Sequence, residues 1–300
     1  MIERAALIAL LRRSGTSWSE IALSIQEIGS AATVLDRTVG QRDTLFPETD
    51  TAAGLIADAA EEITGWRAEG IGVHAFFDST YPAQLLGIRE MPPLLFTRGD
   101  LRVRDRAVAV VGSRSATDEG LRISRAVSTS LANRGVTVAS GLAKGIDTAA
   151  HTAALEAGGR TVAVIGTGIQ RYYPAANRQL QDQISDVGLV LSQFWPDAAP
   201  SKQSFPMRNA VMSGYAAATV VVEAGEKSGA RIQARLALHH GRPVVLTSQV
   251  MQCDWAKAFA ENPGVYVARG TVELLDAIDD ILSRLPTEAG LENFPDLAIL

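Results

Sequence analysis

The sequence predicts an α/β protein built on a doubly wound, mostly parallel sheet and preceded by a small helical domain. Three observations carry this. Apolar runs of four or five residues recur at 107–111, 136–139 and 161–165, continuous rather than alternating, as strands buried on both faces require. The first two runs lead into glycine turns, GSRSAT and SGLAKG, and the residues after each turn have helical spacing. Strand, turn, helix, strand, turn and helix fit within residues 107–151, the cadence of βαβ units wound onto one sheet, where ligands bind at the C-terminal edge.

Residues 1–37 carry two or three short helices, with Ser17 or Ser19 placed to cap the run Ile21, Ile25, Ile28. Residues 38–50 lose the periodicity, contain Pro47 and read as a linker, and 51–69 are helical again. Residues 70–101 read as a strand, an Asp-Ser-Thr turn, a short helix, a Pro-Pro break and a second strand, placed to add edge strands to the main sheet. Asp118 and Glu119 set negative charge at the start of the first crossover helix, where the helix dipole favours it. Leu121, Val127 and Leu131 form its apolar face, and Gly135 ends it. The third strand, 161–165, runs into GTGIQRYYPAANRQL, and 186–191 is the fourth. A long loop with three prolines follows and leads into a helix from Met207; long ordered loops in compact domains are usually functional. Residues 219–223, 243–247 and 265–268 read as further strands, 228–240 as a helix and 271–282 as an amphipathic closing helix. The expected division is a helical domain with linker over 1–50, the sheet domain over 51–285 and an acidic tail over 286–300.

The 300 residues are 47% hydrophobic and 20% charged, a globular composition. Apolar stretches stay under ten residues, and charges flank the short apolar core of MIERAALIALLRRSG. Neither a membrane span nor a signal peptide is expected, and a cytoplasmic location is. Cys253 is the single cysteine, so no intrachain disulfide or cysteine metal site is expected. The net charge of −5 divides along the chain: residues 1–90 carry 7 basic and 13 acidic side chains, 91–260 carry 19 and 12, and 261–300 carry 2 and 8. A centre at +7 between flanks at −6 suits an anionic ligand on the central domain.

The turn GSRSAT has only the first glycine of the dinucleotide fingerprint, and no P-loop is present, which disfavours nicotinamide chemistry and ATP hydrolysis. What remains is a sheet edge where glycine turns and helix N-termini offer backbone N–H groups to an anion. Arg114, Lys144, Arg171 and Arg208 follow the first four parallel strands, and such loops open on one side, so the four cations are expected to converge on phosphate. Lys202 and Phe205 lie three residues apart in the long loop, a spacing at which a cation holds a phosphate while a ring stacks on a base. His151 and Asp147 sit one turn apart with no nucleophile or metal-ligand spacing beside them, and a packing or capping role is expected. Glu223 is the one carboxylate placed for catalysis at the sheet edge.

The segments GSRSATDEG, SGLAKGIDTAAHTAALEAGGRTVAVIGTGIQRYYPAANRQL, FPMRN and VVVEAGEKSGARIQARLALHHGRPV, in this order, resemble the DprA (Smf) family of bacterial DNA-processing factors over roughly residues 70–247. The resemblance implies an extended Rossmann-like fold with an N-terminal SAM-like helical domain. It also implies an activity without catalysis or cofactor: binding and shielding single-stranded DNA and helping to load a RecA-type recombinase, usually as a homodimer. Matched residue by residue, Gly112, Ser113, Arg114, Gly141, Lys144, Lys202 and Phe205 would form the DNA-binding pocket, supported by Arg208 and Asn209. The chain departs from the family where Ala210 follows Arg208-Asn209 in place of a second arginine, and where SQVMQCDWAKAFAENPGVYV follows Thr247 in place of a proline-glycine turn. A second reading is an enzyme resembling the LOG phosphoribohydrolases, with Glu223 and Arg208 acting on a ribosyl bond and Ser228-Gly229-Ala230 cradling the phosphate. Against it, that family's PGGxGT turn appears here as AGEKSGARIQ.

Overall fold

In the computed structural model the described residues are 1–13, 15–40 and 51–284. Of the expected linker, 41–50 lie outside the described residues, as does the whole expected tail, 286–300. The N-terminal region forms three helices, α1 (Ile2–Arg12), α2 (Trp18–Ile28) and α3 (Ala31–Gly40), followed by α4 (Ala52–Ala68). Ser17, rather than Ser19, caps α2: its Oγ accepts from the Glu20 N–H at 3.2 Å while the Glu20 carboxylate accepts from the Ser17 N–H at 2.9 Å, a reciprocal capping box. Helix α3 runs on to Gly40, into residues expected to be linker.

The sheet has nine strands: β1 (Gly72–Ala75), β2 (Leu94–Gly99), β3 (Ala107–Gly112), β4 (Thr137–Ser140), β5 (Thr161–Val164), β6 (Leu189–Ser192), β7 (Ala218–Glu223), β8 (Val244–Thr247) and β9 (Val265–Ala268). Their order is β1-β2-β6-β5-β4-β3-β7-β8-β9. All pairings are parallel except β1 with β2 and β2 with β6. The crossover helices are α5 (Asp118–Asn133), α6 (Ile146–Glu156), α7 (Arg178–Val187), α8 (Ser204–Tyr215), α9 (Gly229–His239) and α10 (Asp254–Ala260), and α11 (Thr271–Ser283) closes the fold. The expected mostly parallel, doubly wound sheet is what forms, and 70–101 supplies its antiparallel edge. From β3 the chain winds outward through β4, β5 and β6, then returns to β7 beside β3 and winds the other way. The β3/β7 boundary is therefore the topological switch point, where open α/β sheets bind ligands.

Along β3 the side chains alternate between two cores. Ala107, Ala109 and Val111 enter the cluster that also holds Leu7, Ile8, Leu35, Ile63 and Phe96, so the helices α1, α3 and α4 share one core with the sheet. Val108 and Val110 enter the second cluster, with Val127 and Leu131 of α5 and Ile278 of α11. Both faces are covered, which is why the strands read as continuous apolar runs.

Three local expectations are corrected. Asp186 belongs to α7, and the fourth parallel strand begins at Leu189. Helix α8 begins at Ser204 rather than Met207, because Ser201 and Ser204 exchange hydrogen bonds between each N–H and the other's Oγ at 3.1 and 3.0 Å. Pro206 then falls in the first helical turn, where a missing N–H costs little. Helix α10 occupies a stretch that carried no helical expectation.

Candidate nucleic-acid interface

At the switch point the loops leaving β3 and β7 part, and a cavity of about 540 Å³ opens between them and the first turns of α8 and α9. The β3 side contributes Gly112, Ser113, Arg114 and Ser115, helix α8 contributes Phe205, Arg208 and Asn209, and the β7 side contributes Gly225 and Lys227 to Ala230. The Ser113 Oγ accepts from the Ser115 N–H at 3.1 Å and folds the first loop back on itself, leaving Arg114 exposed at the mouth.

The Arg114 guanidinium carbon lies 5.3 Å from the centre of the Phe205 ring, within cation–π range. Phe205 rests on Gly166, where even a methyl group would approach the ring to 2.9 Å, and its other neighbour is Tyr173, ring centres 5.6 Å apart. A cation and two rings thus form a short strip along the rim. Beneath it Arg208, only 6% exposed, donates from Nη1 to the Val164 carbonyl at 2.8 Å and from Nε to Asn209 Oδ1 at 3.0 Å. Its guanidinium covers Gly141 so closely that any Cβ there would overlap it. Burial lowers the Arg208 pKa and raises that of Asp147, and the attraction between the two opposes both shifts. Asp147 Oδ2 accepts from the N–H groups of Gly141 and Ala143 at 3.1 and 3.3 Å, so this carboxylate organises the SGLAKG turn.

Six of the ten expected site residues therefore line one cavity: Gly112, Ser113, Arg114, Phe205, Arg208 and Asn209. Gly141 lies under Arg208, while Lys144 and Lys202 are exposed and outside the lining. Arg171 also lies outside it and donates from Nε to the Asp197 carbonyl at 2.9 Å, tying two loops together. Among the described residues none of Arg114, Lys144, Arg171, Lys202, Arg208 and Lys227 forms an ion pair. Lys227, Ser228 and Gly229 stand at the opening of α9 and face the same cavity as Arg114. The DNA-binding expectation left them out, though the enzymatic reading named Ser228 and Gly229, and the adjacency of β7 to β3 brings them to Arg114.

Glu223, the carboxylate of the enzymatic reading, accepts from the Thr117 N–H at 3.0 Å and from its hydroxyl at 2.6 Å. It holds the start of α5 and does not line the cavity. His151 is fully buried with Nδ1 2.7 Å from Thr161 Oγ1, and burial lowers its pKa to about 3, which keeps it a neutral packing group. Cys253 Sγ lies 3.3 Å from the Ala224 carbonyl. No group of His, Cys, Asp or Glu among the described residues is arranged to hold a metal ion.

A mostly parallel sheet whose loops part at the switch point over a buried arginine defines a Rossmann-like α/β protein. The chain belongs to the family described as DNA recombination-mediator protein A, which matches residues 72–286. It is 33% identical to DNA processing protein DprA of Bacillus subtilis over 226 residues, covering 75% of this chain and 74% of that protein. It is 44% identical to DprA of Streptococcus pneumoniae over 171 residues, 57% of this chain and 60% of that protein. With Protein Smf of Synechocystis it shares 38% over 224 residues, 73% of this chain and 53% of that protein. The chain thus spans between about half and three quarters of these relatives. The X-ray structure of DprA from S. pneumoniae superposes with a TM-score of 0.72 at 29% identity, covering 91% of this chain and 97% of that one. DprA from Helicobacter pylori, whose structure is described for its single-stranded DNA binding mode, shares the fold at a TM-score of 0.61 and 23% identity, covering 71% of this chain and 96% of that one.

Proposed function

We propose that this chain binds single-stranded DNA with little sequence preference, without catalysis or cofactor, and that it assists a RecA-type recombinase, as a homodimer in the cytoplasm. The observation that carries this is the strip of Arg114 and Phe205 at the mouth of the switch-point cavity, with no carboxylate among the described residues paired to the cation. A guanidinium holds backbone phosphate, and a half-buried ring offers a face on which any base stacks. Gly112 and Ser113 bring backbone N–H groups to the same place, Arg208 and Asn209 support it, and Lys144, Arg171 and Lys202 supply flanking positive charge. Family membership and the relatives named for DNA processing support the reading, as does the H. pylori protein by its described binding mode. The phosphoribohydrolase alternative loses its catalytic carboxylate, because Glu223 is engaged with Thr117. No helix among the described residues is long and apolar enough to cross a membrane.

Fluorescence anisotropy with a labelled single strand and the matching duplex, across a salt series, tests the binding. Tight binding of the single strand is expected, with a log–log slope of about −0.7 per neutralised phosphate. Equal affinity for the duplex, or none for either, refutes it. Light scattering in the same buffer reads the dimer, and recombinase filament growth on strands coated with single-strand-binding protein reads the assistance.

A further inference from the structure

Tyr173, in the loop after β5, was outside the expected site. A tyrosine kept for packing buries its ring and pairs its hydroxyl. Tyr173 does neither: it is 43% exposed, and among the described residues its hydroxyl makes no hydrogen bond. Its ring centre lies 5.6 Å from that of Phe205, with the two planes tilted by 45°. Phe205 in turn lies 5.3 Å from the Arg114 guanidinium carbon. A cation from the loop after β3, a ring from α8 and a ring from the loop after β5 thus form one chain of contacts. Strand β4 lies between β3 and β5, so the chain runs from the switch point across the end of β4.

The loop that carries Tyr173 is held on both sides. The Arg171 carbonyl accepts from Gln181 Nε2 at 3.1 Å, the Pro174 carbonyl accepts from the Asn177 N–H at 2.9 Å, and Asn177 Nδ2 donates to the Leu142 carbonyl at 2.9 Å. The ring is therefore set in place before any ligand arrives, which lowers the ordering cost of binding. Bases in a helix lie parallel at about 3.4 Å per step. Two rings 5.6 Å apart and tilted by 45° suit bases that are spread from one another, an arrangement open to a single strand and closed to a duplex whose pairs stay stacked.

We infer that Tyr173 is a second stacking platform: it takes the base next to the one on Phe205, and the bound strand runs from Arg114 across the end of β4 towards the loop after β5, away from α9. The inference rests on the single-stranded DNA reading and deepens it.

The test uses the full chain in fluorescence anisotropy, with a mixed-sequence single strand and a strand of the same length whose sugars carry no bases; urea unfolding confirms that each variant folds. Tyr173→Ala is expected to weaken binding of the ordinary strand by about tenfold, within the range of one stacked base. The salt slope should stay unchanged, because no phosphate contact is lost, and affinity for the baseless strand should stay within about twofold of the parent. Tyr173→Phe should keep the parent affinity. Tyr173→Leu, which fills the space beside Phe205 without a π face, should not restore it. Lys227→Ala, on the α9 side, should change affinity by less than about threefold. Binding of the ordinary strand by Tyr173→Ala within about twofold of the parent, an equal loss on the baseless strand, or full rescue by leucine overturns the platform, and a tenfold loss in Lys227→Ala overturns the path; each leaves the parent's single-strand binding standing. If the parent binds neither strand, both readings fall.

Discussion

The two glycine turns at the C-terminal edge of the sheet, 112–115 and 141–145, look alike in sequence and have opposite fates. In the second, Gly141 is roofed by Arg208, its N–H and that of Ala143 are given to Asp147, and the Leu142 carbonyl accepts from Asn177 at 2.9 Å. Leu142 is fully buried at a φ of 57°, a left-handed conformation that costs a non-glycine residue of order 1 kcal/mol or more and persists because these bonds enforce it. In the first turn the Ser115 N–H is given to Ser113 Oγ, and Arg114 reaches solvent. One turn spends its donors on architecture and holds Arg208 in place. The other lines the switch-point cavity with Arg114 exposed.

The contrast can be broken from either side. Gly141→Ala drives a methyl group into the Arg208 guanidinium, and a loss of about 3 kcal/mol, at the upper end of overpacking costs, is expected in urea unfolding; a stability within 0.5 kcal/mol of the parent would mean that Arg208 moves freely. Arg114→Ala should leave that unfolding curve in place yet weaken single-strand binding by about thirtyfold, the scale of a charged hydrogen bond, read by anisotropy. A stability loss would show that the first turn is structural as well.

Acid titration tests the buried side of the comparison more gently. His151 stays neutral in the fold, its pKa lowered to about 3, whereas the unfolded chain takes up its proton below about 6.5. The unfolded state then binds more protons, so stability is fully present above pH 6.5 and falls by about 1 kcal/mol per unit as pH drops towards 4. His74, held near 4 chiefly by burial, adds to the slope, and the raised pKa of Asp147 offsets part of it at the acidic end. His151→Asn should flatten the slope between pH 6.5 and 4.5, and an unchanged slope would locate the acid sensitivity elsewhere. The smallest effect is expected at Lys202, exposed and outside the cavity. Lys202→Ala should weaken single-strand binding by less than about threefold and reduce the salt slope by about 0.7; a tenfold loss would move the interface outward to the long loop.

Much of the scaffold was legible because its signals are local. The valine runs of β3, β7 and β8 follow from burial on both faces, a serine at 17 or 19 announces the start of α2, and the helix over 271–282 is nearly that of α11. Helix α7 was missed because only Gln181 and Ile184 are buried in an otherwise polar stretch, too few to give a period. Helix α8 starts early because two serine side chains bond each other's backbone, an exchange no apolar pattern encodes. For the site, the sequence named Arg114 and Phe205 from separate loops and could not separate them from Arg171, whose guanidinium is spent on the Asp197 carbonyl.

By itself, then, the sequence determined the parallel winding, the residues that form the strands and the family, because periodicity and turn chemistry act over a few neighbouring residues. Only the tertiary structure decided that β7 returns beside β3, that Lys227, Ser228 and Gly229 therefore line one cavity with Arg114, and that Arg208 is buried beside Asp147. Strand order is set by how two hydrophobic faces are covered at once. That is a property of the whole chain, and no local stretch carries it.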